Sequence, residues 1–514
     1  MLHPDLLLFH GRLLTNTSHR VTALAISGDR ILAVGEDDEL RGLRGPKTRV
    51  VDLGGRLVTP GFTDSHVHLA ALAMRLSGVR LETARTLAEA VRRVAARARV
   101  APKGEWITGG GFDQNVWGGE FPTRHDLDAA APEHPVALFS HDLHTLWVNW
   151  LALVRCGITK RTRCGPDGIV RREAKGEPAG ILQEAAIGLV RNSPAYTPGG
   201  AGLEDLARAL RYLRRYGLTS VHVLERSNPL EALQKLRERG QLAARVTVYP
   251  WYTELDGLVA AGLRSGFGDE WLRLGGVKVI LDGTLGSQTA WLYRPHEHSD
   301  AGCGVPLLTR GELRAILRRA AERGLASSVH AIGDRANAEA LDAFAAIRDL
   351  RTALPHRLEH AQLLRPEDIP RVADLGLVAS LQPVHILGDA ALADRHWGAR
   401  SRGAYAFRSL WRAGATLAFG SDAPVETPDP IAGLEAAVDR TPRGAPPGTH
   451  WYPEERLSLR QAVRAYTLGP AMATGEAAVK GRLAPGYLAD VVIWAGEASR
   501  PRRAARVFLA GKPQ

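Results

Sequence analysis

The chain has 514 residues, too many for one small module and suited to one large domain with an accessory one. With 45% hydrophobic and 24% charged residues, the composition excludes a disordered, fibrous or membrane-embedded chain and leaves a globular protein. The formal net charge is +11, and 58 of the 66 basic residues are arginine. This surplus is spread without a stripe or recognition motif, so no nucleic-acid partner is expected.

In chain order, the opening segments "DLLLFHGRLLT", "VTALAISGDRILAVG" and "TRVVDLGGRLVTP" read as short strands punctuated by Gly, Asn and Asp. The last part, "GRLAPGYLADVVIW" and "RAARVFLAGKPQ", reads the same way. Strands at both ends predict a small composite β-domain from residues 1–60 and 470–514. The N-terminal apolar run lacks a basic start and a small-residue cleavage site, and no apolar run reaches the ~18 residues that span a bilayer. Three cysteines, Cys156, Cys164 and Cys303, are an odd number without zinc-ligand spacing. They predict neither a disulfide framework nor a cysteine metal site, and reduced cytoplasm as the location.

The middle, residues 61–469, alternates apolar runs with helical patterns. The runs are Thr63–His68, Thr219–Leu224, Val246–Tyr252, Val277–Asp282, Ser327–His330, Arg357–His360, Val378–Gln382 and Leu417–Asp422. Eight βα units predict an α/β fold closed as a (β/α)8 TIM-like barrel. No GxGxxG follows a strand, which argues against a dinucleotide fold. Ordinary βα loops hold about 2–6 residues, so the long stretch 70–215 is an inserted subdomain after the first barrel strand, expected over the active-site end.

Chemistry-bearing residues fall at strand ends. His66 and His68, two apart on a strand, point to one face and can share a metal ion. Lys278 lies inside an apolar run. It either pairs with a nearby carboxylate or, as a buried neutral amine, adds carbon dioxide to give a carbamate that bridges two cations. His330, His360 and Asp422 each end a run. Any one of them alone suits a structural role; all six together form one ring at one mouth. Such a set fits two divalent ions, zinc first among them, holding a bridging hydroxide between them, with Asp422 as proton shuttle as well as ligand.

The segments "VTPGFTDSHVHL", "FDQNVWGGEFPTRHDLDAAAP", "VKVILDGTLGSQTAWL", "VHAIGDRAN", "RLEHAQLLRPEDIPRVADLGLVASLQPVH", "LAFGSDAPVETPDPIAGLEAAV" and "GRLAPGYLADVVIW" occur in order. Along nearly the whole chain they resemble the amidohydrolase superfamily, within it the amidohydrolase family 3 group that includes N-substituted formamide deformylases. The resemblance implies a barrel plus composite β-sandwich, a carboxylated Lys278, and hydrolysis of a non-peptide C–N bond in a small amide or formamide-like substrate. The chain departs from the group at Gln288 and Val223, where Arg and Asp are common. Phe112, Asp113, Trp117, His144 and Trp147 in the insertion are expected at the pocket or in the insertion's own packing. His222, Gln288, Asp334, Gln382 and His385 are further cavity candidates. A one-metal deaminase of a nucleobase-like ring is the alternative, although His330-Ala331-Ile332-Gly333-Asp334 lacks the Glu that such enzymes place there. A non-catalytic barrel scaffold is the alternative from another class, and homodimerisation is left open.

Overall fold

The computed structural model describes residues 3–15, 21–165, 168–197, 202–225, 229–446 and 448–514. The chain divides into two compact units, Met1–Val67 with Leu210–Gln514, and His68–Ala209.

In the larger unit, eight strands run β1 Phe62–Val67, β2 Leu218–Leu224, β3 Arg245–Tyr249, β4 Val277–Ile280, β5 Ser327–Ala331, β6 Arg357–His360, β7 Val378–Leu381 and β8 Thr416–Phe419. Their ladders are all parallel. Single parallel bridges, Trp251 to Lys278 and Val67 to Ala423, join β3 to β4 and β8 back to β1. The ring is therefore closed, and the eight apolar runs each supply one strand. The third run stops early as a regular strand because Pro250 has no N–H; its carbonyl accepts from Lys278 N at 2.8 Å and pairing resumes only at Trp251. The eighth stops at Phe419, before the left-handed turn at Asp422 (φ 61°).

Helices return the chain between strands, and Arg310–Glu322 shows why they form. Thr309 and Glu312 make a reciprocal capping box at its start. Leu313, Leu317, Ala320 and Ala321 place the apolar stripe on one face at helical spacing, each buried leucine contributing about 2 kcal/mol. The left-handed Gly324 ends the helix, its N–H bonding to the Ala321 carbonyl at 2.9 Å.

Both termini meet in one five-stranded sheet. Arg12–Leu13 and Leu57–Pro60 are joined there by Val491–Glu497, Arg500–Leu509 and Lys512–Pro513. A four-stranded sheet of Leu6–Phe9, Ala23–Ser27, Arg30–Gly35 and Arg49–Asp52 belongs to the same unit. Leu8, Leu24, Val58, Leu483, Val491 and Phe508 share one apolar cluster drawn from both chain ends. The returning chain is helical at Leu468–Ala473 and enters the sheet only at Val491. Arg245 on β3 forms a buried two-toothed ion pair with Asp490, at 2.6 and 3.1 Å, and ties the barrel to this region.

The smaller unit carries its own six-stranded sheet, in the spatial order Gly168–Arg172, Pro178–Glu184, Thr145–Val148, Val136–Ser140, Ile107–Phe112, Val79–Arg80. Gly109 and Gly110 lie at positive φ in its middle. A Cβ there would stand 2.2 Å from the Val79 carbonyl oxygen and 2.3 Å from that of Phe139, so only glycine fits. The three cysteines are free. No helix among the described residues is long and apolar enough to cross a membrane.

Candidate active site

The C-terminal ends of the parallel strands gather the chemistry-bearing side chains. On β1, Asp64 and His66 share a face, and His68 follows two residues on, directly after the strand. His66 and Asp422 each offer a ligand atom, with His66 Nε2 3.5 Å from Asp422 Oδ1. The His66 and His360 rings are 4.8 Å apart, and those of His330 and His360 are 4.5 Å apart. Lys278 is buried on β4, and its Nζ has no hydrogen-bond partner among the described residues.

Hydrogen bonds to the far nitrogens decide which ring nitrogen faces the site. His66 Nδ1 is 2.7 Å from Glu359 Oε2, and His360 Nδ1 is 2.8 Å from Gln382 Oε1. Both acceptors claim an Nδ1–H, so Nε2 keeps the lone pair in each ring. His330 differs: its Nε2 lies 3.2 Å from the Gly283 carbonyl, which leaves Nδ1 as the lone-pair nitrogen.

Electrostatics favour neutral rings. Burial, and then the neighbouring Lys278 charge, pulls His66 down to about 4. Burial with His330 and His66 alongside holds His360 well below the usual imidazole range. Burial lowers the Lys278 amine to about 8, against the pull of Glu359 and Asp422. Burial also opposes a charge on His385, yet the Asp422 carboxylate, with Asp389 and Glu426 behind, overrides it and raises that imidazole to about 9. His385 Nε2 stands 3.4 Å from Asp422 Oδ2. Neutral imidazoles, a buried amine and a carboxylate form a donor set that fits a divalent cation.

Other expected residues fall elsewhere. Gln382 lies behind His360, as its hydrogen-bond partner. His222 is fully buried in the barrel interior, with Nδ1 2.9 Å from Arg357 Nη1. Gln288, in the loop after β4, accepts from the Ser299 hydroxyl. Asp334 opens the helix after β5 and accepts from Tyr293 N at 3.0 Å.

The remaining candidates lie in the smaller unit. Phe112 and Trp147 are fully buried in its apolar core, because their aromatic area is what that sheet has to cover. Trp117 packs against the same cluster and donates Nε1–H to the Ala84 carbonyl at 3.0 Å. Asp113 caps a short 3-10 helix through Asn115 N, and His144 pairs with Glu184 at 2.9 Å.

Four buried charges were not singled out from the sequence. Asp64 accepts from Ser421 N and Oγ at 2.9 and 2.5 Å, clamping the turn that carries Asp422. Asp282 accepts from Trp291 N, Ile332 N and Gly333 N, fixing the loops after β4 and β5. Arg357 and Glu359 face each other on β6, with Nε 2.8 Å from Oε1. The signal for this last pair was present: Arg-x-Glu in a four-residue strand places opposite charges on one face.

Comparison with known proteins follows this geometry. The amidohydrolase family model matches residues 49–509. The chain is 34% identical to Protein LONG AFTER FAR-RED 3 of Arabidopsis thaliana, over 95% of this chain and 87% of that protein. It is 28% identical to the N-substituted formamide deformylase of Arthrobacter pascens, over 92% of this chain and 89% of that enzyme. The crystal structure of an uncharacterized metal-dependent hydrolase from Pyrococcus horikoshii OT3 superposes with a TM-score of 0.80 at 29% identity, covering 97% of this chain and all of that one. The chain belongs to the amidohydrolase family and is a hydrolase.

Proposed function

We propose that this protein is a metal-dependent hydrolase of a non-peptide C–N bond in a small amide or N-substituted formamide. The observation that carries the reading is the convergence of His66 and Asp422 at the mouth of the barrel, with Nε2 3.5 Å from Oδ1. The deformylase similarity supports the bond type, and the Pyrococcus hydrolase similarity supports metal dependence.

His66 and His360 through Nε2, His330 through Nδ1, His68 and Asp422 would hold the metal, with zinc the first choice and two ions the expected number. Lys278 would complete the set as a carbamate: its neutral amine forms an N–C bond to carbon dioxide and releases one proton. The bound metal supplies a Lewis acid that acidifies water and polarises a carbonyl.

The chain's own residues do the rest. Asp422 accepts the proton of the attacking water and returns it to the leaving nitrogen. His385 Nε2, 3.4 Å from Asp422 Oδ2, orients that carboxylate. Asp282 fixes the loops that frame the mouth on the β4 and β5 side. The two sheets around the mixed terminal cluster support the composite β-sandwich reading.

The test is elemental analysis of protein purified without chelators and with bicarbonate present. A panel of N-substituted formamides and amides is then assayed before and after chelation and zinc return. Metal retention with zinc-restored amine release supports the proposal. Ammonia release from nucleobases instead, or full activity after chelation, would overturn it.

A further inference from the structure

The barrel interior beneath the site holds a charged group that the reaction does not use. Arg357 projects from β6 and is fully buried. Its guanidinium reaches strands on both sides. Nε donates to Glu359 Oε1 at 2.8 Å, and Nη1 lies 2.9 Å from His222 Nδ1 on β2. Nη2 donates to the Ser65 carbonyl on β1 at 2.6 Å and to Ser380 Oγ on β7 at 2.9 Å. The plane lies over the Tyr249 ring on β3, 4.7 Å from its centroid. One planar fork thus touches five strands, which a lysine ammonium could not reproduce.

The proton positions along this chain of contacts follow from donor chemistry. Arginine only donates, so His222 Nδ1 accepts, and that ring carries its proton on Nε2. Glu359 receives Arg357 Nε–H and the Ser328 hydroxyl on Oε1, at 2.8 and 2.6 Å, and Arg357 Nη2–H on Oε2 at 3.3 Å. Oε2 is thereby turned toward His66 Nδ1, 2.7 Å away. A carboxylate held in this way fixes both the tautomer and the plane of the imidazole.

We infer that Arg357 is a positioning residue for the site: through Glu359 it sets His66 with Nδ1 protonated and the Nε2 lone pair turned toward the metal-binding group, and His222 holds the far side of the guanidinium. This inference rests on the proposal that His66 ligates a metal.

The experiment measures zinc release from the zinc-loaded full-length protein to a chromogenic chelator, beside the melting temperature of the same sample. Glu359→Gln and Arg357→Met are expected to weaken zinc affinity about 10–100-fold. Arg357→Lys restores the charge but not the fork, and is expected to recover little. Asp490→Asn, destabilising but away from the barrel interior, serves as the control and keeps wild-type affinity. A structural role would make affinity follow melting temperature across all four variants, and that pattern overturns the inference. Should the Arg357 variants not fold, the His222 pair decides. His222→Phe removes the Nη1 acceptor and is expected to release zinc several-fold faster, whereas His222→Asn keeps an acceptor and stays near wild type. Equal release by both overturns the inference while leaving the metal site intact. Wild-type protein that holds no zinc overturns the metal proposal and the inference with it.

Discussion

Asp422 donates its backbone N–H to the carbonyl of His66 at 2.8 Å, so the last barrel strand closes on the first at two residues of the proposed site. Asp64 reinforces the contact from the next inward position by holding Ser421 through both N and Oγ. Ring closure and site assembly are therefore one event. Asp64→Ala leaves two buried donors on Ser421 without an acceptor, at a cost of about 2–3 kcal/mol. Activity is expected to fall more than ten-fold because Asp422 loses its seat. Denaturant unfolding together with steady-state assay of the variant checks both effects.

Asp422→Asn preserves shape but cannot take up a proton. Turnover is expected to fall by about 10²–10⁴-fold, the usual worth of a positioned acid–base group. The far-ultraviolet circular dichroism spectrum should match wild type. An Asn variant with full turnover would remove Asp422 from proton transfer.

Lys278 has a buried Nζ without a hydrogen-bond partner among the described residues. Lys278→Ala is expected to lower retained metal to below half of wild type, and short carboxylic acids added at high concentration should restore part of it by filling the space. Elemental analysis of both preparations, with and without the acid, is the measurement. Unchanged metal content in Lys278→Ala would show that the amine takes no part in holding it.

His356 gives a pH dependence remote from the donor set. Burial lowers its imidazole to about 4, and its Nδ1 accepts from Ser327 N at 3.0 Å. The unfolded chain, with an ordinary pKa near 6.5, binds the proton more readily than the folded one. Stability is therefore complete above about pH 6.5 and declines as pH falls toward 4, by about 2 kcal/mol after allowing for partial exposure. His356→Asn keeps the Ser327 acceptor without the titration. Melting temperatures from pH 7 to 4 should fall more steeply for wild type than for this variant; parallel curves would refute the assignment.

The Arg245–Asp490 pair is two-toothed and almost fully buried. Asp490→Ala strands a guanidinium and is expected to cost about 3–5 kcal/mol. The double variant Arg245→Met with Asp490→Ala should recover much of that loss. Chemical denaturation of wild type, both single variants and the double variant gives the coupling energy directly.

The eight strands were legible along the chain, because a parallel strand covered on both faces reads as a continuous apolar run and His66, Lys278, His330, His360 and Asp422 interrupt or end such runs. The stretch 70–215 is longer than any ordinary βα loop, and the compact unit found there is His68–Ala209. Tertiary structure alone decided how the donors are held. Glu359 and Gln382 select the ring nitrogens of His66 and His360 from strands remote in sequence. Arg357 finds its partners on β1, β2 and β7, and Phe112 and Trp147 are claimed by the core of the smaller unit. Periodicity along a strand reports which face a side chain takes. Which group on another strand meets it there depends on ring closure and register, and those are properties of the assembled barrel.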